Sequence, residues 1–177
     1  ATGAGTAGTR LTAFWARATS AAMAGPTLGG TTDHIYARII TYRGVITTGV
    51  PWDVTGGGVK AAASNTVTVA GIVTTVANTR IVQAVARDND NAGTAFSAET
   101  NANLTGILER NDAGTLTGNG GGFAVWDGAK ATAGATGNTT ANVTSSINAF
   151  LSIALRPPVT GPDHYELTLP TASVACL

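Results

Sequence analysis

The sequence predicts an all-β protein, an antiparallel two-sheet sandwich of jelly-roll or immunoglobulin-like kind with extended N- and C-terminal arms. Three observations predict it. Apolar residues fall in short runs with partial period two, as in Phe123, Val125 and then Phe150, Leu151, Ile153 and Leu155. Clusters of Gly, Asn, Asp, Ser and Pro separate the runs: GPTLGG, TGGG, DNDNAG, NDAG, TGNGGG and GATGN. No stretch shows a convincing amphipathic helical period, and helix is expected at most in a turn or two near Thr19 to Met23.

The elements follow in order. Residues 1–9, all Ala, Thr and Gly, read as a flexible or draped N-terminal arm. Arg10 to Arg17, RLTAFWAR, alternates Leu11, Ala13 and Trp15 against Thr12, Phe14 and Ala16, which is a strand covered on both faces. His34 to Tyr42 is a second such strand. Further strands are expected at Val59 to Ala63, Thr66 to Ile72, Arg80 to Arg87, Leu104 to Arg110, Gly122 to Asp127, Thr139 to Ser145 and Ala149 to Arg156. About eight to ten short strands at this spacing define the sandwich domain, residues 10–158. After Arg156, Pro157-Pro158 and Gly161-Pro162 break the sheet. Tyr165 to Leu169 then alternates again, so residues 159–177 read as a C-terminal arm with one added strand. That strand either folds back or adds to the exposed edge of a neighbouring subunit, with exchange slightly favoured and Tyr165, Leu167 and Leu169 at the interface.

Composition narrows the function classes. A chain of 177 residues, 44% apolar, buries one core and is most simply a single domain. Only 11% of residues are charged, against about 25% in an ordinary soluble domain, and the formal net charge is +0. A surface of Thr, Ser, Asn, Gly and Ala suits an assembled or extracellular particle. The ten Lys and Arg are scattered among ten Asp and Glu, without the basic run or aromatic interleaving of a nucleic-acid binder. No window holds the roughly 18 apolar residues of a transmembrane helix, and ATGAGTAGTR has no signal-peptide pattern, so neither a membrane partner nor secretion by that route is expected. The single cysteine, Cys176, forms no intrachain disulfide; it reads as an unpaired thiol in a final strand or as a cross-link between subunits.

Few residues offer chemistry. Asp88, Asp90, Gly93 and Glu99 match an EF-hand loop at its first, third, sixth and twelfth positions, carboxylates that could converge on calcium. Ala92 stands where a ligand belongs, and the flanks read as strands, so a plain Asp/Asn/Gly turn is the simpler reading and no cofactor is expected. His34, His164 and Cys176 lack the paired spacing of a structural zinc site. No G-x-S-x-G elbow supports a hydrolytic triad, and the Gly-rich segments lack the Lys-Ser/Thr of a phosphate loop, so the chain is not expected to be an enzyme. Asn103, Asn138 and Asn142 open N-x-T patterns that abundant threonine produces by chance. Of the three tryptophans, Trp15 and Trp126 read as packing residues, whereas Trp52, following Pro51 in a loop, is the candidate for a surface contact such as a glycan.

One resemblance is carried by a series of segments: RLTAFWARAT; DHIYARIITYRGV with PWDV after it; VTTVANTRIVQAVARDND; NLTGILERND; GNGGGFAVWDGAKATAGATGNTTANV; and LSIALRPP. Over about residues 10 to 158 the chain resembles a family of β-sandwich proteins encoded mainly by tailed bacteriophages and prophages. In that family these elements are structural, so the resemblance implies a virion component with no catalytic residue. The low charge, the Thr-rich strands and the terminal arms fit, among virion components, a capsid decoration or cement protein on the particle exterior, expected as a trimer contacting itself and the major capsid protein. The alternatives are a tail fibre, spike or baseplate module binding host glycans through Trp52, and a subunit of a strand-exchanged extracellular filament. Members of the family carry further strands before the W-x-R-A element. A sandwich without them has an open sheet edge, which residues 159–177 are the natural segment to cover.

Overall fold

The computed structural model describes residues 2–6, 8–27, 36–117 and 121–158. Ten strands account for its regular structure: β1 (Thr2–Thr6), β2 (Thr9–Ala13), β3 (Trp52–Val69), β4 (Val73–Thr74), β5 (Thr79–Arg87), β6 (Phe96–Thr100), β7 (Thr105–Thr115), β8 (Gly121–Lys130), β9 (Gly134–Ala135) and β10 (Thr139–Leu155). All pairings are antiparallel, and no helix occurs among the described residues, so the expected all-β antiparallel class is borne out.

Two layers arise from a single hydrogen-bonded sheet. Its order is β3-β10-β5-β8-β7, with β6 paired to the first half of β10. β10 changes partner midway: Thr140, Asn142 and Val143 pair with β6, whereas Asn148 to Leu155 pair with β5, and between the two stretches its register against β3 shifts, from Asn142 to Ser146 and from Ser146 to Asn148. Such irregularities bend a strand and increase its twist. The bend lays the β6–β10–β3 end over β5 and β8, so Val67, Val69, Phe96, Ala141 and Val143 meet Val85, Ala124, Trp126 and Phe150 in one buried cluster. A smaller cluster holds Ile72, Ile81, Leu104 and Ala154. Within the core a polar row crosses the sheet: the Trp126 indole N–H donates to Gln83 Oε1 at 2.9 Å, and Gln83 Nε2 donates to Ser152 Oγ at 3.3 Å. These buried groups need such partners, since an unpaired polar atom there costs about 1–3 kcal/mol.

Several expectations are corrected. The strands expected at Val59 to Ala63 and Thr66 to Ile72 fall in one 18-residue strand, β3, which ends at Val69, and those expected at Thr139 to Ser145 and Ala149 to Arg156 in one bulged strand, β10, which ends at Leu155. Two glycine clusters expected as turns lie inside strands: TGGG in β3 and NDAG in β7. The reason is close packing, because a Cβ on Gly58 would sit 2.7 Å from the Phe150 ring. Residues Thr19 to Met23 form bends and a turn, not helix. Thr2–Thr6, placed in the expected N-terminal arm, pairs with Thr9–Ala13 as a hairpin that packs on β3, β5 and β10.

The strand expected over His34 to Tyr42 is, from Tyr36 onward, an extended segment without ladder pairing. Side chains dock it instead on the outer face of β7 and β8. The Tyr36 ring meets Phe123 edge-on at 5.3 Å, Arg38 Nε donates to Asn111 Oδ1 at 3.0 Å, and the Tyr42 hydroxyl donates to Asp127 Oδ2 at 2.9 Å. Apolar residues spaced as in a strand therefore cover a sheet here without joining one.

Candidate functional site

The DNDNAG loop between β5 and β6 is organised around a protein cation. Arg87, only 2% exposed, donates from Nη1 to the carbonyl and side-chain oxygens of Asn89 at 2.7 and 3.0 Å. Its Nη2 donates to the carbonyl of Asn91 at 2.9 Å. Asp88 Oδ1 is engaged elsewhere, accepting the Ile147 N–H at 2.8 Å, and Asp90 is exposed. Among the described residues no three His, Cys, Asp or Glu side chains come together to hold a metal, so Asp88, Asp90 and Glu99 are not assembled as a calcium site. The guanidinium supplies the positive charge around which the loop carbonyls turn. Burial lowers the Arg87 pKa, and the nearby Asp112 carboxylate opposes that effect. Asp112 also holds β6 to β7: its Oδ2 accepts the N–H groups of Ala95 and Phe96 at 2.7 and 2.8 Å.

The tryptophans are placed differently from the expectation. Trp126 is buried in the core as expected. Trp15, expected as packing, is 47% exposed and meets the half-buried Trp52 edge-on at 5.3 Å. Arg17 fixes this corner by donating to the carbonyls of Ile46 and Gly49, both at 2.6 Å. Phe14 and Val50, near this pair in sequence, are also exposed. Tyr165, Leu167, Leu169 and Cys176, the expected interface residues, lie outside the described residues.

The sheet offers a long edge. Among the described residues the 18-residue strand β3 is paired on one side only, to β10, in a ladder whose register shifts between Lys60 and Thr66, where Lys60 Nζ donates to the Thr66 carbonyl at 2.9 Å. Asp53 and Lys60 are its only charged residues, and Val59 is 43% exposed. Natural edges are usually blunted by charge, proline or shortness, because unpaired N–H and C=O groups template the pairing of another chain.

A feature that the sequence did not reveal lies on the outer face of β5, β7 and β8, beneath the docked segment. Asp127 is fully buried there and is held by three donors. Arg110 reaches it in a forked arrangement, Nε to Oδ2 at 2.7 Å and Nη2 to Oδ1 at 3.1 Å; Arg80 Nε lies 3.3 Å from Oδ1; and the Tyr42 hydroxyl completes the set. Burial, then the charge and hydrogen bond of Asp127, push the Tyr42 phenol well above its ordinary value, so it remains a donor. Beside this group opens a cavity of about 290 Å³ whose wall carries Arg43, Arg80, Arg110 and Arg156. The four arginines come from four distant segments, so no basic run marks them. Each nonetheless sits in a quoted segment, in YRGV, TRIV, LER and ALRPP, and the acid sits in AVWD.

No match was found among known proteins. Neither a protein-family model, nor a curated protein, nor a solved structure matches this chain.

Proposed function

We propose that the protein is a non-enzymatic structural subunit of an assembled particle, a decoration protein on the exterior of a tailed-phage capsid that binds further copies of itself and the major capsid protein. The β3 edge carries this reading. Eighteen residues of strand with two charges make a surface to which an extended segment can add by main-chain hydrogen bonds, and such β-augmentation needs no catalytic group. Exposed Phe14, Trp15 and Val50 supply apolar area for the same purpose, and the low charge of the chain removes repulsion between copies packed on a lattice. Trimers at three-fold positions are the proposed arrangement. The test is reconstitution on capsids that lack the protein. Saturating binding at a fixed stoichiometry to the major capsid protein, with a raised disassembly temperature, is the expected result; binding to tails alone overturns it.

A second reading rests on the Trp15–Trp52 corner. A half-exposed indole, Trp15, with the Arg17 guanidinium over its ring and Trp52 edge-on to it, is the kind of aromatic group that contacts sugars, so a tail module recognising host glycans is the competing assignment. Glycan-array binding lost in Trp15→Ala, with no affinity for capsids, decides for it.

A further inference from the structure

The arginine-lined cavity is independent of the β3 edge, and nothing in the capsid reading uses it. Four arginines line it, and among the described residues the carboxylate beside it is Asp127, which Arg80 and Arg110 already neutralise. Arg43 and Arg156 make no side-chain hydrogen bond among the described residues. A further acid, Asp53, lies close enough to Arg156 to feel its charge, but its oxygens are engaged by the Thr75 N–H and hydroxyl and by the Val76 N–H. Among the described residues, these four positive charges face two negative ones, an excess of two. Like charges gathered on one cavity wall raise one another's energy, and an anion that joins them relieves it.

The chemistry selects the anion. Guanidinium groups present planar forks that match the oxygens of phosphate, and a dianion balances the excess charge. Size sets a second limit. Pockets for drug-sized ligands span about 300–1,000 Å³, so a space of about 290 Å³ holds a phosphate with at most a small organic body. Asn78 adds an amide to the wall, and Ile40 and Leu155 add apolar surface against which such a body can rest.

We propose that this cavity, walled by Arg43, Arg80, Arg110 and Arg156, binds a small phosphorylated compound, no larger than a sugar monophosphate, by its phosphate group. Arg43 and Arg156 grip the phosphate directly. Arg80 and Arg110 are held in position by Asp127 and supply charge from behind. A site of this kind would let a structural subunit capture a phosphorylated surface sugar or free phosphate.

Titration calorimetry of the full chain at low salt tests it, with inorganic phosphate, glucose 6-phosphate and glucose as probes. Both phosphate probes are expected to bind and glucose is not. Tighter binding of the sugar phosphate identifies the ester as the ligand, and equal affinity identifies the free ion; either result supports the site. Arg43→Ala and Arg156→Ala are each expected to weaken phosphate binding by about tenfold or more, equivalent to about 1.4 kcal/mol, and Arg43→Lys by less. The melting temperature of anion-free Arg43→Ala, whose side chain is exposed, should hold or rise and not fall, which separates lost binding from lost fold. Absence of heat with both phosphate probes, or wild-type affinity in both alanine variants, overturns the proposal.

Discussion

At Gly114 the chain leaves space for another residue's charge. A Cβ there would run into the Arg87 guanidinium and the carbonyls of Asn91 and Gly121, and backbone atoms cannot swing aside as a flexible side chain can. Gly114→Ala is therefore expected to cost about 1–3 kcal/mol, read as a lower denaturant midpoint at unchanged slope. An unchanged midpoint would show that Arg87 is not held where the structure puts it. Glu109 makes a different demand. Burial first, and then the charges of Asp112 and Glu99, raise its pKa. The fold thus favours the protonated acid, and its stability falls as pH rises through that raised value. Glu109→Gln should raise the melting temperature at neutral pH and leave it unchanged near pH 3.5, roughly where the acid is protonated in both states. Equal shifts at both pH values would contradict this sign.

Two elements decide how the molecule presents itself. The segment from Tyr36 to Val45 is joined to the sheet by side chains alone, so its attachment rests on few bonds. Tyr42→Phe removes a hydrogen bond to a charged acceptor and is expected to cost about 1.5–3 kcal/mol. Limited proteolysis should then cut first between residues 36 and 50; unchanged resistance there would mean that Tyr42 is not the anchor. β3 is the opposite case, hydrogen-bonded to β10 on one side and, among the described residues, unpaired on the other. Val59→Lys places a charge at an exposed position of that strand, and its effect on stability is expected to stay within about 0.5 kcal/mol. Lysine on an edge discourages further pairing, so capsid binding should be lost while the melting temperature holds. Capsid binding that survives the substitution would place the contact elsewhere.

For the molecule as a whole, one bent sheet supplies both layers of the core. Phe150 packs where β10 has left β6 for β5, and its ring lies on Gly58 of β3. Phe150→Ala should cost about 3–5 kcal/mol and lower a single cooperative transition. Much of this architecture is legible in the sequence, since period-two runs and their separators mark most of the strands. Glycine misled where it serves close packing: at Gly58 and Gly114 a neighbouring ring or guanidinium takes the space of a side chain, which composition cannot distinguish from a turn. Tyr36 to Tyr42 misled because covering a sheet and joining it demand the same apolar spacing. The arginine cavity was hidden for a third reason. Arg43, Arg80, Arg110 and Arg156 come to one cavity only through the strand order and the docking of the 36–45 segment on the sheet, and no local pattern encodes that.

The central claim is assembly through the β3 edge on a capsid surface. An averaged cryo-EM map of purified virions tests it most directly. The account predicts density for this fold repeated over the capsid lattice, with an extended segment of a neighbouring chain lying along Trp52–Val69. Density confined to the tail, or a capsid-bound copy whose β3 edge faces solvent, would contradict it.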